Sequence, residues 1–346
     1  MAYANISKPS SYMNPVLYTG NSSTQAITGV GFQPALVWLK DRDATSSHRL
    51  YDAVRGVTER IQSNTTEAET TEADGLTAFG ADGFSLGSNA ATNDNSNLYV
   101  GWNWKAGTTT GIAGSPSITP LSYSFNATSG FSIIKYNGTG SAGTLPHGLG
   151  VAPSMIIVKA LETTDNWAVY HKSLGATKYT ELNLSAAAGT SAVMWNDTEP
   201  TSTLFTVNTN GGVNTAGNDY IAYCFANVKG YAHANMYRGN ANNDGVFIYT
   251  GFRPAFVLLK NITDAGDNWT MYDSKRDPGN AADELLFANS DGVESTGNDM
   301  DIVSNGFKQR NTSNGNNGNG DTMIYYAVAQ EPLVANVGSS IPATAR

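Results

Sequence analysis

Gly31-Phe-Gln-Pro-Ala-Leu-Val-Trp-Leu-Lys40 returns as Gly150-Val-Ala-Pro-Ser-Met-Ile-Ile-Val-Lys159 and again as Gly251-Phe-Arg-Pro-Ala-Phe-Val-Leu-Leu-Lys260. The closing lysines of these stretches lie 119 and then 101 residues apart. A dozen residues on, Ser-His-Arg-Leu-Tyr51-Asp52 matches Asn166-Trp-Ala-Val-Tyr170-His171 and Asn268-Trp-Thr-Met-Tyr272-Asp273. Each copy ends in an aromatic run: Tyr99-Val-Gly-Trp-Asn-Trp104, Tyr220-Ile-Ala-Tyr-Cys-Phe225 and Met323-Ile-Tyr-Tyr-Ala-Val328. The distances from lysine to closing run are 59, 61 and 63 residues. Matching order and near-equal spacing in three copies is the signature of an internal repeat.

The unit reads as all-β. Pro34, Pro153 and Pro254 stand where a missing N–H is tolerated, at a strand's opening residues. The run that follows is too short for a buried helix and rich in Val, Ile and Leu. It is apolar on both faces, as in the middle of a sandwich. In the first closing run, residues 100, 102 and 104 point one way and 99, 101 and 103 the other. Turn dipeptides such as Asp82-Gly83, Asn137-Gly138, Asn210-Gly211, Asp244-Gly245 and Asn305-Gly306 punctuate the chain at hairpin spacing. Only residues 67–73 and 281–287 are passable as helical turns. The expectation is three tandem β-sandwich, jelly-roll-like repeats with Gly/Asn-rich hairpin loops. Residues 1–110 hold the first with an N-terminal arm, and 111–229 the second behind a flexible Gly/Thr-rich linker. Residues 230–346 hold the third, with an extended tail. Partners or sister subunits are expected to pin both ends.

Composition agrees. Of 346 residues 36 are Gly and only 14% are charged, against roughly 25% in an ordinary domain. Asn, Thr, Ser and Gly take the place of the charges, and they cap turns rather than build helices. The net charge of −9 without any basic cluster excludes a nucleic-acid binder. No run approaches a membrane span and no export signal is visible. The single cysteine, Cys224, lies in an apolar run and reads as a buried inert thiol.

Motifs that suggest chemistry fail in context. Gly83-Phe-Ser85-Leu-Gly87 spells a nucleophile elbow, but no helix-forming stretch follows it. Gly138-Thr-Gly140-Ser-Ala-Gly143 spells a dinucleotide fingerprint and likewise lacks its helix. The loop from Asn240 begins like a calcium site, yet Gly251 stands where a bidentate Glu is needed. Glu67, Glu69 and Glu72 read as a solvated loop rather than a glycosidase pair. His48, His147, His171 and His233 share no ligand spacing. No catalytic residue, metal ligand or cofactor site is expected. Lys40, Lys159 and Lys260 should cap strand ends or pair with carboxylates. Tyr51, Tyr170 and Tyr272 complete the recurring structural signature. Trp195, in Val-Met-Trp-Asn-Asp-Thr, reads as plain packing or as a sugar-stacking platform.

Together the pieces Gly-Phe-x-Pro-Ala-x-Val-x-x-Lys, Asp82-Gly-Phe-Ser-Leu-Gly-Ser-Asn89, Tyr99 to Gly107 and Tyr220 to Ala226 resemble repeat-containing virion structural and tail-fibre proteins of marine tailed bacteriophages. The resemblance runs from about Val16 to Arg346. It implies a non-enzymatic role on the virion surface, with assembly in host cytoplasm and release by lysis. The expected function is that of a fibre or adhesin contacting host surface glycans. A head fibre or capsid decoration protein is one alternative, and a polysaccharide-degrading tail enzyme another. Its partners would be other virion proteins and sister subunits, in a homo-oligomer such as a trimer. No membrane insertion is expected.

Overall fold

The computed structural model describes residues 4–333. Among these, twenty-six strands and four single-turn α-helices account for the regular structure, apart from one 3-10 turn at Pro9–Ser11. The expected helical turns do not form: Thr70–Thr71 and Ala282–Phe287 are strands. Helix appears instead at Ala90–Asn93, Ala192–Trp195, Gly211–Asn214 and Asn314–Asn317. Two of these start at asparagines whose side chains accept from Ala91 N and Gly212 N. A cap can begin a turn in residues that have little helix propensity of their own. No described helix is long and apolar enough to cross a membrane.

Three large antiparallel sheets dominate, and their central strands follow one order. In the first, Met13–Thr19 lies beside the closing run Leu98–Trp104, then Leu36–Asp41, Arg49–Asp52 and Gly56–Ile61. In the second, the sequence is Phe131–Asn137, Asp219–Ala226, Pro153–Ala160, Ala168–His171 and Lys178–Glu181. In the third, it is Ala232–Arg238, Thr322–Pro332, Phe252–Asn261, Thr270–Asp273 and Ala282–Phe287. Register agrees too: Trp38 faces Trp102, Ile157 faces Tyr223 and Leu258 faces Tyr326. A smaller strand pair follows the same pattern, with Ile27, Leu145 and Ile248 opposite Phe84, Phe205 and Phe307.

The large sheets are covered on both faces, which is why their central strands are buried throughout. Outward, the first packs Val16, Val37 and Leu39 against Ile27 and Phe84 of its small sheet. Gly101 sits on that face, and a Cβ there would come 3.0 Å from Leu39. Inward, one continuous core joins side chains from all three sheets, among them Trp102, Trp104, Ile133, Phe225, Phe256 and Tyr326. Trp104 meets Phe225 at 6.3 Å and Phe256 at 5.6 Å between ring centres. Phe225 in turn meets Tyr326 at 4.9 Å. Independent cores strung on linkers would not produce these contacts.

Polar contacts between the three stretches run in a cycle. His48 Nε2 donates to Phe287 O (3.0 Å), Trp167 Nε1 to Gln62 O (2.9 Å) and Trp269 Nε1 to Glu181 O (2.9 Å). The first stretch thus leans on the third, the second on the first and the third on the second. The connection at Ala106–Pro116, expected to be flexible, is held by Thr108, which exchanges both backbone hydrogen bonds with Phe125. The N-terminal arm is pinned within the chain: Ala4 and Ile6 are buried, and Asn5 N donates to Lys229 O. The tail from Val334 to Arg346 lies outside the described residues.

Candidate functional site

The recurring residues form the frame. Lys40, Lys159 and Lys260 are wholly buried, and each Nζ donates to the carbonyl of the next residue (2.6, 2.6 and 2.7 Å). They cap strand ends, with ammonium groups that burial pulls down to about 8. Tyr51, Tyr170 and Tyr272 are buried, with hydroxyls on Glu72, Glu199 and Asn298 O. Pro153 opens its strand, Pro254 lies at a bulge in its own, and Pro34 precedes its strand by two residues.

Three loops are fixed by buried asparagines that short-range reading missed. Asn93, Asn214 and Asn317 have no exposed surface. Their side-chain oxygens accept from Asn21 N, Thr139 N and Asn240 N (2.9, 2.8 and 3.0 Å). Their amide groups donate to Ser23 O, Ser141 O and Asn242 O. Tyr18, Tyr136 and Tyr237 reach the same one-turn helices through their hydroxyls. At Gly239 the chain passes so near that a Cβ would lie 2.2 Å from Gly318 O.

Of the acidic run, Glu67 is exposed, reaching Arg60 at 3.3 Å, but Glu69 and Glu72 are not solvated. Glu69 pairs with Arg55, and Glu72 with Arg49 and Arg60. Arg55 also holds Asp52 (2.5 Å) in full burial, and Tyr223 donates to that same carboxylate at 2.7 Å from the second sheet. The third stretch repeats this with Arg276, Asp273 and Glu294, and Trp102 Nε1 supplies the outside donor at 3.0 Å. In the second stretch His171 and Leu174 take these places. His171 accepts from Ser173 N and donates to Tyr325 O. These acids are committed to joints between stretches rather than to a cleft. Among the described residues, no group of three or more His, Cys, Asp or Glu is placed to hold a metal ion. Cys224 is buried and its thiol is pushed up to about 12 by burial.

Trp195 offers no face to a sugar. It is 2% exposed, closes the helix Ala192–Trp195 and meets Tyr170 edge-on at 6.0 Å. Its loop-like sequence conceals a helical turn that folds the indole inward.

The exposed aromatics lie elsewhere, on the edge strand Phe247–Tyr249. Ile248 points inward, and on either side Phe247 and Tyr249 are 46% and 59% exposed. At matching register the first stretch carries Ala26 and Thr28, and the second Thr144 and Pro146. The strand therefore does not need aromatics there. Tyr249 borders a cavity of about 430 Å³ shared with Asn227, Lys229, His233, Gly251 and Leu333. His233 Nδ1 is engaged by Tyr325 Oη at 2.9 Å. Burial lowers its pKa, which favours a neutral ring. The Asn227 amide is spent on the backbone of Ala234. An exposed ring beside a polar-edged hollow suits a ligand with one apolar face and polar groups along its rim. The signal in the sequence is Val-Phe-Ile-Tyr, an alternation that breaks the match among the three copies on its outward face only.

A family model described as a domain of unknown function (DUF7483) matches residues 8–332. No curated protein matches the chain.

Proposed function

The chain belongs to the DUF7483 family, and for it we propose the role of a structural protein on the surface of a phage particle, a fibre or adhesin that contacts host surface glycans without enzymatic turnover. The observation that carries this reading is the pair Phe247 and Tyr249, exposed where the two matching strand pairs carry small or non-aromatic residues. A pyranose ring has an apolar C–H face that stacks on a tyrosine and hydroxyls that take up polar neighbours. The hollow beside Tyr249 supplies both. In this reading the chain is built from three β-sandwich units of jelly-roll type, at 1–110, 111–229 and 230–346. The shared strand order supports it. The charge-poor, polar composition suits a particle that meets many environments.

Labelled protein binding to host cells or to a glycan array tests the proposal. Tyr249→Ala should weaken binding about tenfold or more, a change of about 1.4 kcal/mol, while Thr28→Ala should not. Equal binding by both variants would remove the aromatic edge from the function. A reconstruction of the whole particle that placed the chain on capsid faces would favour a decoration protein. Turnover of host polysaccharide by the purified chain would overturn the non-enzymatic role.

A further inference from the structure

We propose that this chain is a self-contained cyclic trimer in one polypeptide: the surface by which its three stretches dock is consumed three times internally, so that it meets its partners as a single body. Each joint is head-to-tail, joining different surfaces on its two sides. Interfaces of that kind either close into a ring or propagate without end. Here the third joint closes. His48, Trp167 and Trp269 stand at matching places, and each donates to the carbonyl at or just after the fifth strand of the preceding stretch in the cycle. Trp102 and Tyr223 likewise cross to Asp273 and Asp52 in those stretches. The closing joint, first on third, is as well furnished as the others. It adds Arg42 paired with Glu284 (2.9 Å) and Glu294 (2.5 Å), Ser63 Oγ on Ala288 O (2.7 Å) and a backbone bond from Ser46 N to Asp291 O.

Among the described residues, no copy of the docking surface is left open for a sister chain. A homotrimer made through it is therefore closed off, and attachment to other virion proteins must use a different face. The aromatic edge belongs to the third stretch alone, so each body presents one such edge rather than three. That valency rests on the glycan reading, whereas the closed ring does not.

Light scattering coupled to size exclusion, on the full chain from about 1 to 100 µM, should return one species at the 36.6 kDa of a single chain. A species of three times that mass that Arg42→Ala dissociates would show the docking surface shared between chains and would overturn the proposal. Arg42→Ala, at a partly exposed position that should leave the fold intact, probes the closing joint by hydrogen exchange. Protection should fall about tenfold in both Leu36–Asp41 and Ala282–Phe287, strands more than 240 residues apart. A change confined to the first of these would show the ring to be open at that joint and would sink the inference.

Discussion

Removing Arg55 puts the interior to a quantitative test, because the chain contains its own control. Arg55 is fully buried and donates to Asp52 (2.5 Å), Glu69 (2.8 Å), Glu59 O (2.8 Å) and Leu50 O (3.0 Å). Arg55→Leu leaves the Asp52 carboxylate buried with only Tyr223 Oη and the backbone N–H groups of residues 54 and 55. Breaking one side of a buried ion pair costs about 3–5 kcal/mol. At matching positions the second stretch carries His171 and Leu174, and His171 Nδ1 accepts from Ser173 N much as Asp52 accepts from Val54 N. The double variant Asp52→His/Arg55→Leu copies that solution and removes the stranded charge. It still forfeits two hydrogen bonds to carbonyls, at about 1 kcal/mol each. We therefore expect the single change to cost about 3–5 kcal/mol and the double about 2 kcal/mol, so the second substitution rescues the first. If the 346 residues unfold together, an unfolding entropy near 2.1 cal/mol/K per residue makes each kcal/mol worth about 1.4 °C. The single variant should then melt about 4–7 °C below the parent and the double about 3 °C below. Urea titrations of the parent, both singles and the double complete the cycle. A double variant as damaged as the sum of its parts would refute the equivalence of the three joints.

Other outcomes follow from the same contacts. Asn317→Ala removes a buried side chain that accepts from Asn240 N and donates to Asn242 O and Asn311 O; it should cost about 2–4 kcal/mol and raise hydrogen exchange across residues 239–245. Gly239→Ala would drive a Cβ to 2.2 Å from Gly318 O and should destabilise by more than about 2 kcal/mol, seen as a lower melting temperature. Acid should weaken the fold through its buried histidines. Burial pulls His48 down to about 3 and His147 and His171 to about 4, below the ordinary 6.5. Between those values the unfolded chain binds more protons than the folded one, so this share of stability is whole above about pH 6.5 and declines as pH falls toward 4. Replacing His171 with Gln should flatten that part of the pH profile. Cys224 should stay unreactive toward thiol reagents until the chain unfolds, since its thiol is buried and pushed up to about 12.

The frame was legible because it is written three times. Proline-marked strands, capping lysines and aromatic closing runs stand at near-equal spacings, and repetition distinguishes what the fold requires from chance. The joints were not legible. His48 Nε2 on Phe287 O spans 239 residues, and no local pattern foretells a partner so distant. One hint was present in central strands that are apolar on both faces, which need cover from two sides. The helices Ala90–Asn93 and Gly211–Asn214 escaped notice because an asparagine cap and a tyrosine hydroxyl hold each of them, rather than the propensity of sequences such as Gly211-Gly-Val-Asn214. For Trp195 the packing alternative holds, because a polar neighbourhood in sequence became one helical turn with its indole inside. The acidic run misled because its arginine partners are brought in by neighbouring strands. Tyr249 lay in plain alternation, and only its mismatch with Thr28 and Pro146 singles it out.

The head-to-tail joints have a consequence for how such a chain can change over generations. In an assembly of identical subunits one mutation strikes every interface at once, so partners must improve together or not at all. Here each joint answers to its own neighbour. The place held by an imidazole at residue 48 is held by indoles at 167 and 269, and the acid–base pair of the first and third stretches is replaced by His171 and Leu174 in the second. Copies held in one chain are free of sameness, and two can keep the scaffold while one carries an aromatic edge.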